Sequence, residues 1–327
     1  MKNSLFTFLK VFISLALLAV LFWNVGPARI AAIAANADYR FLAAAVILWF
    51  GSVVFSVWKW DVVLRAQGIV VPFRALMAHY YIGLFFNNFL PMVGQDVVRA
   101  YGIARYTERT HEVAISVLVD RMIGLLAFIM GGAVMSIVIV FGYGRTDMTQ
   151  FALVTCLVAL AVLALFASIL SRRLRRLAEL LFHLPVLRIL LPTYQKLSDA
   201  LLPFRHAVRV LGIGYVLATI SMIDTHFVNW LVNFAVHADV PLVYIFLFNA
   251  VVVFAPLIVP SVGGLGVTQG AFVVLYATIG RTTSSELAFA MGLMMQIVVI
   301  VSSLPGAFLW LRGREQAAAP QVSSSPG

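Results

Sequence analysis

Residues 87–99 of the chain are NNFLPMVGQDVVR, and this short stretch decides the fold. It follows the apolar helical stretch LMAHYYIGLFF, residues 76–86, and places two amides, a proline, a glycine, an aspartate and an arginine in a strongly apolar chain. Proline interrupts a helix because it lacks an N–H donor and clashes with the preceding turn. The stretch therefore predicts a helix, a break and a second helix.

The composition indicates that lipid surrounds this break. Hydrophobic residues make up 62% of the 327 residues, charged residues make up 11%, and the mean hydropathy is +1.00. An ordinary soluble domain is about a quarter charged, and no soluble fold could bury so much apolar surface. Apolar runs of about 20 residues, the length that a helix needs to cross the hydrocarbon core, recur along the chain. They predict an all-α polytopic membrane protein.

Six apolar runs are predicted to span the membrane completely. They cover residues 5–25, 40–59, 113–141, 150–170, 210–235 and 287–311. The first run resembles a signal peptide, but its length favours an uncleaved span. Residues 1–311 are thus predicted to form one transmembrane domain, and the small, polar tail 312–327 is predicted to be disordered.

The net charge of +10 follows the positive-inside pattern, because basic residues cluster in short loops between the spans. We therefore reject nucleic acid as a partner. The linker 171–209 carries eight Lys and Arg residues against two acids and is predicted to lie on anionic inner-leaflet lipids; a plain solvated loop is the alternative. A cytoplasmic linker places both chain termini in the cytoplasm and Lys59 at the cytoplasmic end of its span. Arg29 and Arg40 would lie outside and weaken this orientation.

Two further apolar regions, 75–106 and 241–281, are predicted to be broken helices. Each contains a helix, a Pro-x-x-Gly break and a second helix. Each is predicted to be a re-entrant hairpin, although the second could instead make two complete crossings. Irregular backbone at membrane depth is tolerated only where it is buried in protein or lines a polar cavity. On this topology the hairpins enter from opposite sides, and their tips are expected to converge near the midplane.

Ionisable residues inside apolar segments are expected to face a cavity or one another, because a charge in hydrocarbon is costly. Asp96 and Arg99 lie three residues apart on one helical face, where a simple local ion pair is the alternative. Asp120 and Arg121 are adjacent and point to different faces of the span 113–141. Each is therefore expected to pair elsewhere, Arg121 with Asp96 or Asp120 with Arg99; a structural bridge of this kind and direct contact with the substrate are the two alternatives.

Other polar candidates lie in two helical segments. Asp224 is predicted to meet a cation or a proton, with an interhelical hydrogen bond as the alternative, and its neighbour His226 is expected to be structural. Asn87 and Asn88 are expected either to cap helical carbonyls or to contact a ligand. No residues show metal-ligand spacing, and no metal or cofactor is predicted.

The second break, PSVGGLGVTQG, is predicted to bind an anion. Gly263, Gly264 and Gly266 open a new helix, and free amides at a helix N-terminus attract phosphate. A glycine-rich turn alone is a weak signal, but beside a cavity lined by Arg99 or Arg121 it predicts a lipid-phosphate site.

These motifs resemble those of a known family, the flippase-like transmembrane domain of lysylphosphatidylglycerol synthases. Its pattern is Asn-x-x-Leu-Pro-x-x-Gly-Gly-Asp-x-x-Arg in a first break, Asp-Arg-x-x-Gly in the next span and Pro-x-x-Gly-Gly-x-Gly in a late break. The matching residues here are Asn87, Leu90, Pro91, Gly94, Asp96, Arg99, Asp120, Arg121, Gly124, Pro260, Gly263, Gly264 and Gly266. Gln95 departs from the pattern, which usually has glycine there, and either narrows the site or selects another headgroup.

The resemblance implies movement of a phospholipid or polyprenyl-linked headgroup between the leaflets of a bacterial inner (cytoplasmic) membrane. The predicted translocation residues are Asn87, Pro91, Gly94, Asp96, Arg99, Asp120, Arg121, Asp224, Pro260, Gly263, Gly264 and Gly266. In full-length synthases a soluble C-terminal domain attaches an amino acid to phosphatidylglycerol. This chain ends 16 residues after Leu311, so aminoacyltransferase activity is not expected from it.

Two other hypotheses are kept. One is a membrane-embedded enzyme, which would need an acid–base pair such as Asp96 with His79 or His226. The other is an accessory subunit that anchors a separate lipid-modifying enzyme, for example of aminoacyl-phosphatidylglycerol or glycolipid synthesis. The sequence has no Gly-x-x-x-x-Gly-Lys-Ser/Thr loop, so direct use of ATP is not expected. The lipid, the direction of transport and the oligomeric state stay open.

Overall fold

The computed structural model describes residues 35–90, 94–170, 191–201, 204, 207–259 and 261–318, together with residues 28, 32, 33, 175 and 176. The first predicted span, most of the basic linker and the end of the tail lie outside these residues. Pro91 and Pro260 also lie outside them. Predictions that concern these parts of the chain stay predictions.

The described residues form eleven α-helices. They are, in chain order, α1 (Tyr39–Ala66), α2 (Phe73–Asn87), α3 (Gly94–Thr107), α4 (Thr110–Ile137, continued by a π-helix, Val138–Gly142), α5 (Thr149–Leu170, preceded by a 3-10 turn, Thr146–Met148), α6 (Leu191–Leu201), α7 (Val208–Ala235), α8 (Leu242–Val252), α9 (Ala255–Ile258), α10 (Val267–Phe272, continued by a π-helix, Val273–Ile279) and α11 (Ser285–Ala318).

Five of these helices, α1, α4, α5, α7 and α11, are long and apolar enough to cross a membrane. They correspond to the five later predicted spans, so the prediction of an all-α polytopic membrane protein is confirmed. Two boundaries differ from the prediction. Helix α1 continues past Lys59, which is buried inside the protein and not at a cytoplasmic surface. Helix α11 continues to Ala318, so the first part of the predicted tail is helical.

Helices α1 and α7 pack antiparallel along much of their length. The amide of Asp38, just before α1, donates to the carbonyl of Ala235 at the end of α7 (2.9 Å). Near the middle of the pair, Ser52 Oγ lies 3.0 Å from Ser221 Oγ and 2.9 Å from Thr225 Oγ1. Small hydroxyl residues let two helices approach closely and bind each other inside a membrane.

The first hairpin consists of α2, the break after Asn87 and α3. Both of its ends lie where α1 ends and α4 begins. There Gln67 Nε2 donates to the carbonyl of Glu112 (3.0 Å), and Arg109 Nη1 donates to the carbonyl of Gln67 (3.4 Å). The hairpin therefore starts and finishes at one end of the helix bundle.

The second hairpin consists of α8, the break that contains α9, and α10 with its π-helical continuation. Arg145, in the loop after α4, joins its two ends: it donates to the hydroxyl of Tyr244 in α8 (2.6 Å) and to the carbonyl of Gly280 after α10 (3.3 Å). Both ends therefore lie at the far end of α4, opposite the ends of the first hairpin. With 11 residues, α8 is about 16 Å long, too short to cross a core about 30 Å thick.

The tips of the two hairpins touch. Gly263 has φ +58°, which favours glycine, and a Cβ atom there would lie only 2.9 Å from the carbonyl oxygen of Asn88. The apolar core beside this contact is built mainly from α7, α8, α10 and α11, around Phe248, Tyr276 and Met291. The predicted convergence of the two breaks is thus present as a backbone-to-backbone contact.

Candidate functional site

Five charged side chains from α1, α3 and α4 form one charged network: Lys59, Asp96, Arg99, Asp120 and Arg121. Lys59 Nζ lies 3.1 Å from Oδ1 of Asp120, whose Oδ2 accepts from Arg99 Nη2 at 2.8 Å. Arg99 also donates to Oδ1 of Asp96 from Nη2 (2.8 Å) and Nε (3.1 Å). Arg121 Nη1 donates to Oδ2 of Asp96 at 2.5 Å. Both expected cross-pairs are present, and three cations facing two carboxylates leave a net charge of +1.

The charged network is accessible at one end only. The side chains of Arg99 and Asp120 are 3% and 5% exposed, whereas that of Arg121 is 32% exposed. Arg99 is further enclosed by aromatic rings, with Cζ 4.6 Å from the ring centre of Trp60 and 5.1 Å from that of Tyr80. Removing one partner from a buried ion pair leaves an uncompensated charge. The inner members are therefore held in place, and Arg121 is the cation that a ligand can reach.

The first break places Asp96 by close backbone packing. Gly94 begins α3, and a Cβ atom there would clash with the Cβ of Leu90 before the turn. Asp96 lies in the first turn of α3, where the helix dipole favours a negative charge. In this position the carboxylate of Asp96 meets Arg121 of α4.

A central cavity of about 300 Å³ lies between the two breaks. Asn87 and Gln95 line it from the first break, and Gly263 and Gly264 line it from the second. Arg121 brings the open end of the charged network to its wall. The other polar lining residues are Thr225, Asn229, Asn249, Thr268 and Gln296. None of the described lining residues is acidic, so the cavity wall combines neutral amides and hydroxyls with a single cation.

Several predicted site residues lie outside the described lining of the cavity. Arg99 stands behind Asp96 in the charged network. Asp224 lies between α7 and α1, where a Cβ on Gly51 would be 3.6 Å from its Oδ2. The amide of Gly266 donates to Oε1 of Gln269 (2.7 Å), so it is already bound by the protein and is not free for an anion.

The two asparagines of the first break have different roles. Asn88 Nδ2 donates to the carbonyl of Phe85 (3.1 Å) at the end of α2 and to Ser303 Oγ of α11 (2.9 Å). Asn88 therefore caps its helix, which is one of the two expectations. Asn87 lines the central cavity, and its contact with a ligand stays a prediction.

Neither His79 nor His226 forms the acid–base pair with Asp96 that the enzyme hypothesis requires. His226 is buried, with Nδ1 2.5 Å from the carbonyl of Met222 and Nε2 3.3 Å from that of Phe246, which is the structural role expected from the sequence. His79 lines a different groove, between α2, α3 and α11. Both carboxylate oxygens of Asp96 are bound by arginine.

Several residues of this site were not predicted from the sequence. Lys59 was placed at the cytoplasmic edge because α1 was expected to end there. The polar cavity residues that were not proposed as site residues are Thr225, Asn229, Asn249, Thr268 and Gln296; Gln95 was identified only as a departure from the family pattern. Asn249 and Gln296 each interrupt a long apolar run, FLFNAVVVF and GLMMQIVVI. A single amide within such a run is the signal that could have identified them, because a polar group in hydrocarbon is costly.

Comparison with known proteins places the chain in context. Residues 7–306 match the family described as the lysylphosphatidylglycerol synthase TM region. A UPF0104 membrane protein of Methanothermobacter thermautotrophicus is 26% identical over 298 residues, which cover 85% of this chain and 87% of that protein. A UPF0104 membrane protein of Pyrococcus horikoshii is 23% identical over 200 residues, 59% of this chain and 58% of that protein. No solved structure matches. The chain belongs to the family of the lysylphosphatidylglycerol synthase transmembrane region.

Proposed function

We propose that the protein moves a phospholipid or another phosphate-linked lipid between the two leaflets, with the headgroup passing through the central cavity. The observation that carries this proposal is the position of Arg121. It is the exposed end of a network with net charge +1, and it stands at the wall of a polar cavity between two broken helices.

Arg121 is suited to hold a phosphate. A guanidinium offers five N–H donors in a fixed planar arrangement that matches phosphate oxygens. Within the described part of the chain, its side chain makes one hydrogen bond, from Nη1 to Asp96, so other donors are available to a ligand. One phosphodiester carries one negative charge, which would neutralise the charged network.

The rest of the cavity wall suits passage better than permanent capture. The lining amides, such as Asn87 and Gln296, can replace the water around a headgroup without adding charge. A permeating group must bind well enough to enter and weakly enough to leave. The acyl chains would stay in lipid while the headgroup crosses. Coupling would come from the lipid gradient, an ion gradient or the membrane potential, which supplies about 2.3 kcal/mol per charge per 100 mV.

The proposal is tested with the purified full chain in liposomes that contain phosphatidylglycerol labelled on its acyl chain. Accessibility of the label to an impermeant quencher is followed without a gradient, with an inside-negative potential and with a proton gradient. In a vesicle without lipid movement, the quencher reaches only the label in the outer leaflet, roughly half of the total. We expect the protein to raise the quenched fraction above this level, while the mass of the lipid stays constant. A changed mass would favour the enzyme hypothesis, and no added quenching in any condition contradicts the proposal.

Arg121→Ala should slow this movement at least tenfold, because its guanidinium is the cation at the cavity wall. Arg105→Ala is the matched control, since Arg105 lines the separate groove between α2, α3 and α11. Arg121→Lys retains the charge without the planar donors and should have an intermediate rate. Folding of each variant is checked by its thermal unfolding midpoint. Equal rates for Arg121→Ala and the wild type would refute the role of Arg121.

A further inference from the structure

We propose that the central cavity selects a hydroxyl-rich, negatively charged headgroup, a sugar or polyol joined to the lipid through phosphate, and discriminates against amine-bearing headgroups. The transport of such a lipid rests on the function proposed above. The binding preference itself rests on the chemistry of the cavity wall.

Two buried amides in this wall each have an unpaired polar atom, one a hydrogen-bond acceptor and the other a donor. Oδ1 of Asn229 and Nδ2 of Asn249 are both buried and have no hydrogen-bond partner among the described residues. Asn229 is 1% exposed and Asn249 is 3% exposed, and both line the central cavity. Buried polar groups are nearly always paired, so an unpaired acceptor and an unpaired donor in one cavity indicate a ligand.

A hydroxyl group fits this combination because it can donate one hydrogen bond and accept others. The amide nitrogen of Asn229 donates to the carbonyl of Thr225 (3.4 Å), which leaves its oxygen as an acceptor. Asn249 supplies the complementary donor. Three more carboxamides, those of Asn87, Gln95 and Gln296, line the same cavity and offer both donors and acceptors. This wall matches several hydroxyls held close together, as on a sugar or polyol.

An ammonium group fits the same wall poorly. It has three donors and no acceptor, so it can donate to the carboxamide oxygens but cannot accept from the unpaired Nδ2 of Asn249, and its positive charge needs a carboxylate nearby. None of the described lining residues is acidic, and the nearby Asp96 has both oxygens bound by Arg99 and Arg121. Among the described lining residues, Arg121 alone is charged, and its positive charge repels an ammonium and attracts a phosphate.

Gln95 agrees with this preference. The family pattern usually has glycine at this position. Here the residue packs closely on α2, since a Cβ on Gly83 would be 2.8 Å from the backbone carbonyl oxygen of Gln95 and 3.3 Å from its Cγ, and its side chain lines the cavity. The Gln95 side chain therefore adds both a donor and an acceptor to the cavity wall.

The test measures binding of defined lipids to the detergent-purified full chain by the shift in its thermal unfolding midpoint and by competition. The probes are phosphatidylinositol, phosphatidylglycerol, phosphatidic acid, phosphatidylethanolamine and lysyl-phosphatidylglycerol. We expect phosphatidylinositol to bind at least about fivefold more tightly than phosphatidic acid, because the net free energy of one additional hydrogen bond corresponds to about this ratio of dissociation constants. The two amine-bearing lipids should bind most weakly. Equal affinities, or tightest binding of lysyl-phosphatidylglycerol, would overturn the inference.

Variants test the cause of the preference. Asn229→Leu and Asn249→Leu should each lower the affinity for phosphatidylinositol about fivefold and leave that for phosphatidic acid unchanged. Gln150→Leu, at an exposed amide outside the cavity, is the matched control. Gln296→Glu should shift relative affinity toward lysyl-phosphatidylglycerol because it adds a carboxylate. If a Leu variant fails to fold, the order of wild-type affinities and the effect of Gln296→Glu still test the headgroup preference.

The outcomes separate this inference from the proposed function. Selective binding of phosphatidylinositol without movement in liposomes would refute transport and keep the headgroup preference. Movement of all lipids at one rate, with equal binding, would refute the preference and keep transport.

Discussion

At the residue scale, Arg99 joins the two halves of the charged network. It donates to Asp96 and to Asp120, and its guanidinium lies over the rings of Trp60 and Tyr80. A lysine could not reproduce this arrangement, because its ammonium is a point charge without a planar set of donors. Arg99 thus fixes both carboxylates and leaves Arg121 free to face the cavity.

Arg99→Lys is therefore expected to destabilise the protein by about 2–4 kcal/mol, since breaking a buried pair costs about 3–5 kcal/mol and lysine restores part of it. The measurement is unfolding of the purified protein in detergent. Arg121→Lys is the matched control and should have a smaller effect, because Arg121 is partly exposed. Equal losses for the two variants would show that Arg99 is not the centre of the network.

Gln95→Gly restores the residue that the family pattern usually has. We expect the preference for phosphatidylinositol over phosphatidic acid to fall about twofold to fivefold, because one carboxamide leaves the cavity wall. Lipid competition measures this ratio, and Val97→Gly, an exposed position in the same helix, is the control. An unchanged ratio would remove Gln95 from the set of selecting residues.

At the element scale, the two hairpins are short because they meet each other and need not cross the membrane. Their ends are tied to opposite ends of the bundle, by Gln67 and Arg109 at one end and by Arg145 at the other. The hydrogen bond of Arg145 to Asp147 raises the pKa of the Arg145 guanidinium, which is charged at physiological pH in any case. The broken backbone is left in the middle, where it lines the cavity.

Contact between the tips depends on Gly263. Gly263→Ala should destabilise the protein by about 1–3 kcal/mol, since a positive φ strains a residue with a Cβ, and it should slow lipid movement. Gly212→Ala is the matched control, because a Cβ there meets no atom within 4 Å and alanine favours a helix. The comparison uses thermal unfolding and the liposome assay. Normal stability and transport in Gly263→Ala would mean that the tip contact is dispensable.

At the scale of the whole molecule, the hairpins make a specific topology. The loop after α4 and both ends of the second hairpin share one side, whereas the start of α4 and both ends of the first hairpin share the other. Together with the positive-inside pattern, this arrangement predicts that the start of α4 faces the cytoplasm.

Single-cysteine labelling checks this topology after the native Cys156 is replaced by alanine. An impermeant maleimide added to intact cells should label Tyr143→Cys, in the exposed loop after α4, and should not label Thr110→Cys. Inverted membrane vesicles should show the reverse. Labelling of both positions from the same side would contradict a single crossing by α4.

The sequence by itself determined that the protein lies in a membrane and where most of its helices lie. Runs of apolar residues, and too few charges for a soluble surface, specify membrane-spanning helices because a helix satisfies its own backbone hydrogen bonds in lipid. The Pro-x-x-Gly motifs specified the breaks, because proline lacks the N–H donor that a continuous helix needs. The pairing of Asp96 with Arg121 and of Asp120 with Arg99 was also predictable, since adjacent charges on different helical faces need separate partners.

Only the tertiary structure decided which polar residues share a cavity. Asn249 and Gln296 are 47 residues apart and meet the first break through the packing of α8 and α11 on α2 and α4. Lys59 joined the charged network, whereas Asp224, an equally costly charge, was placed between α1 and α7. Helical periodicity assigns a residue to a face of its own helix. Which neighbour covers that face depends on how side chains from distant segments pack, and no local pattern records that choice.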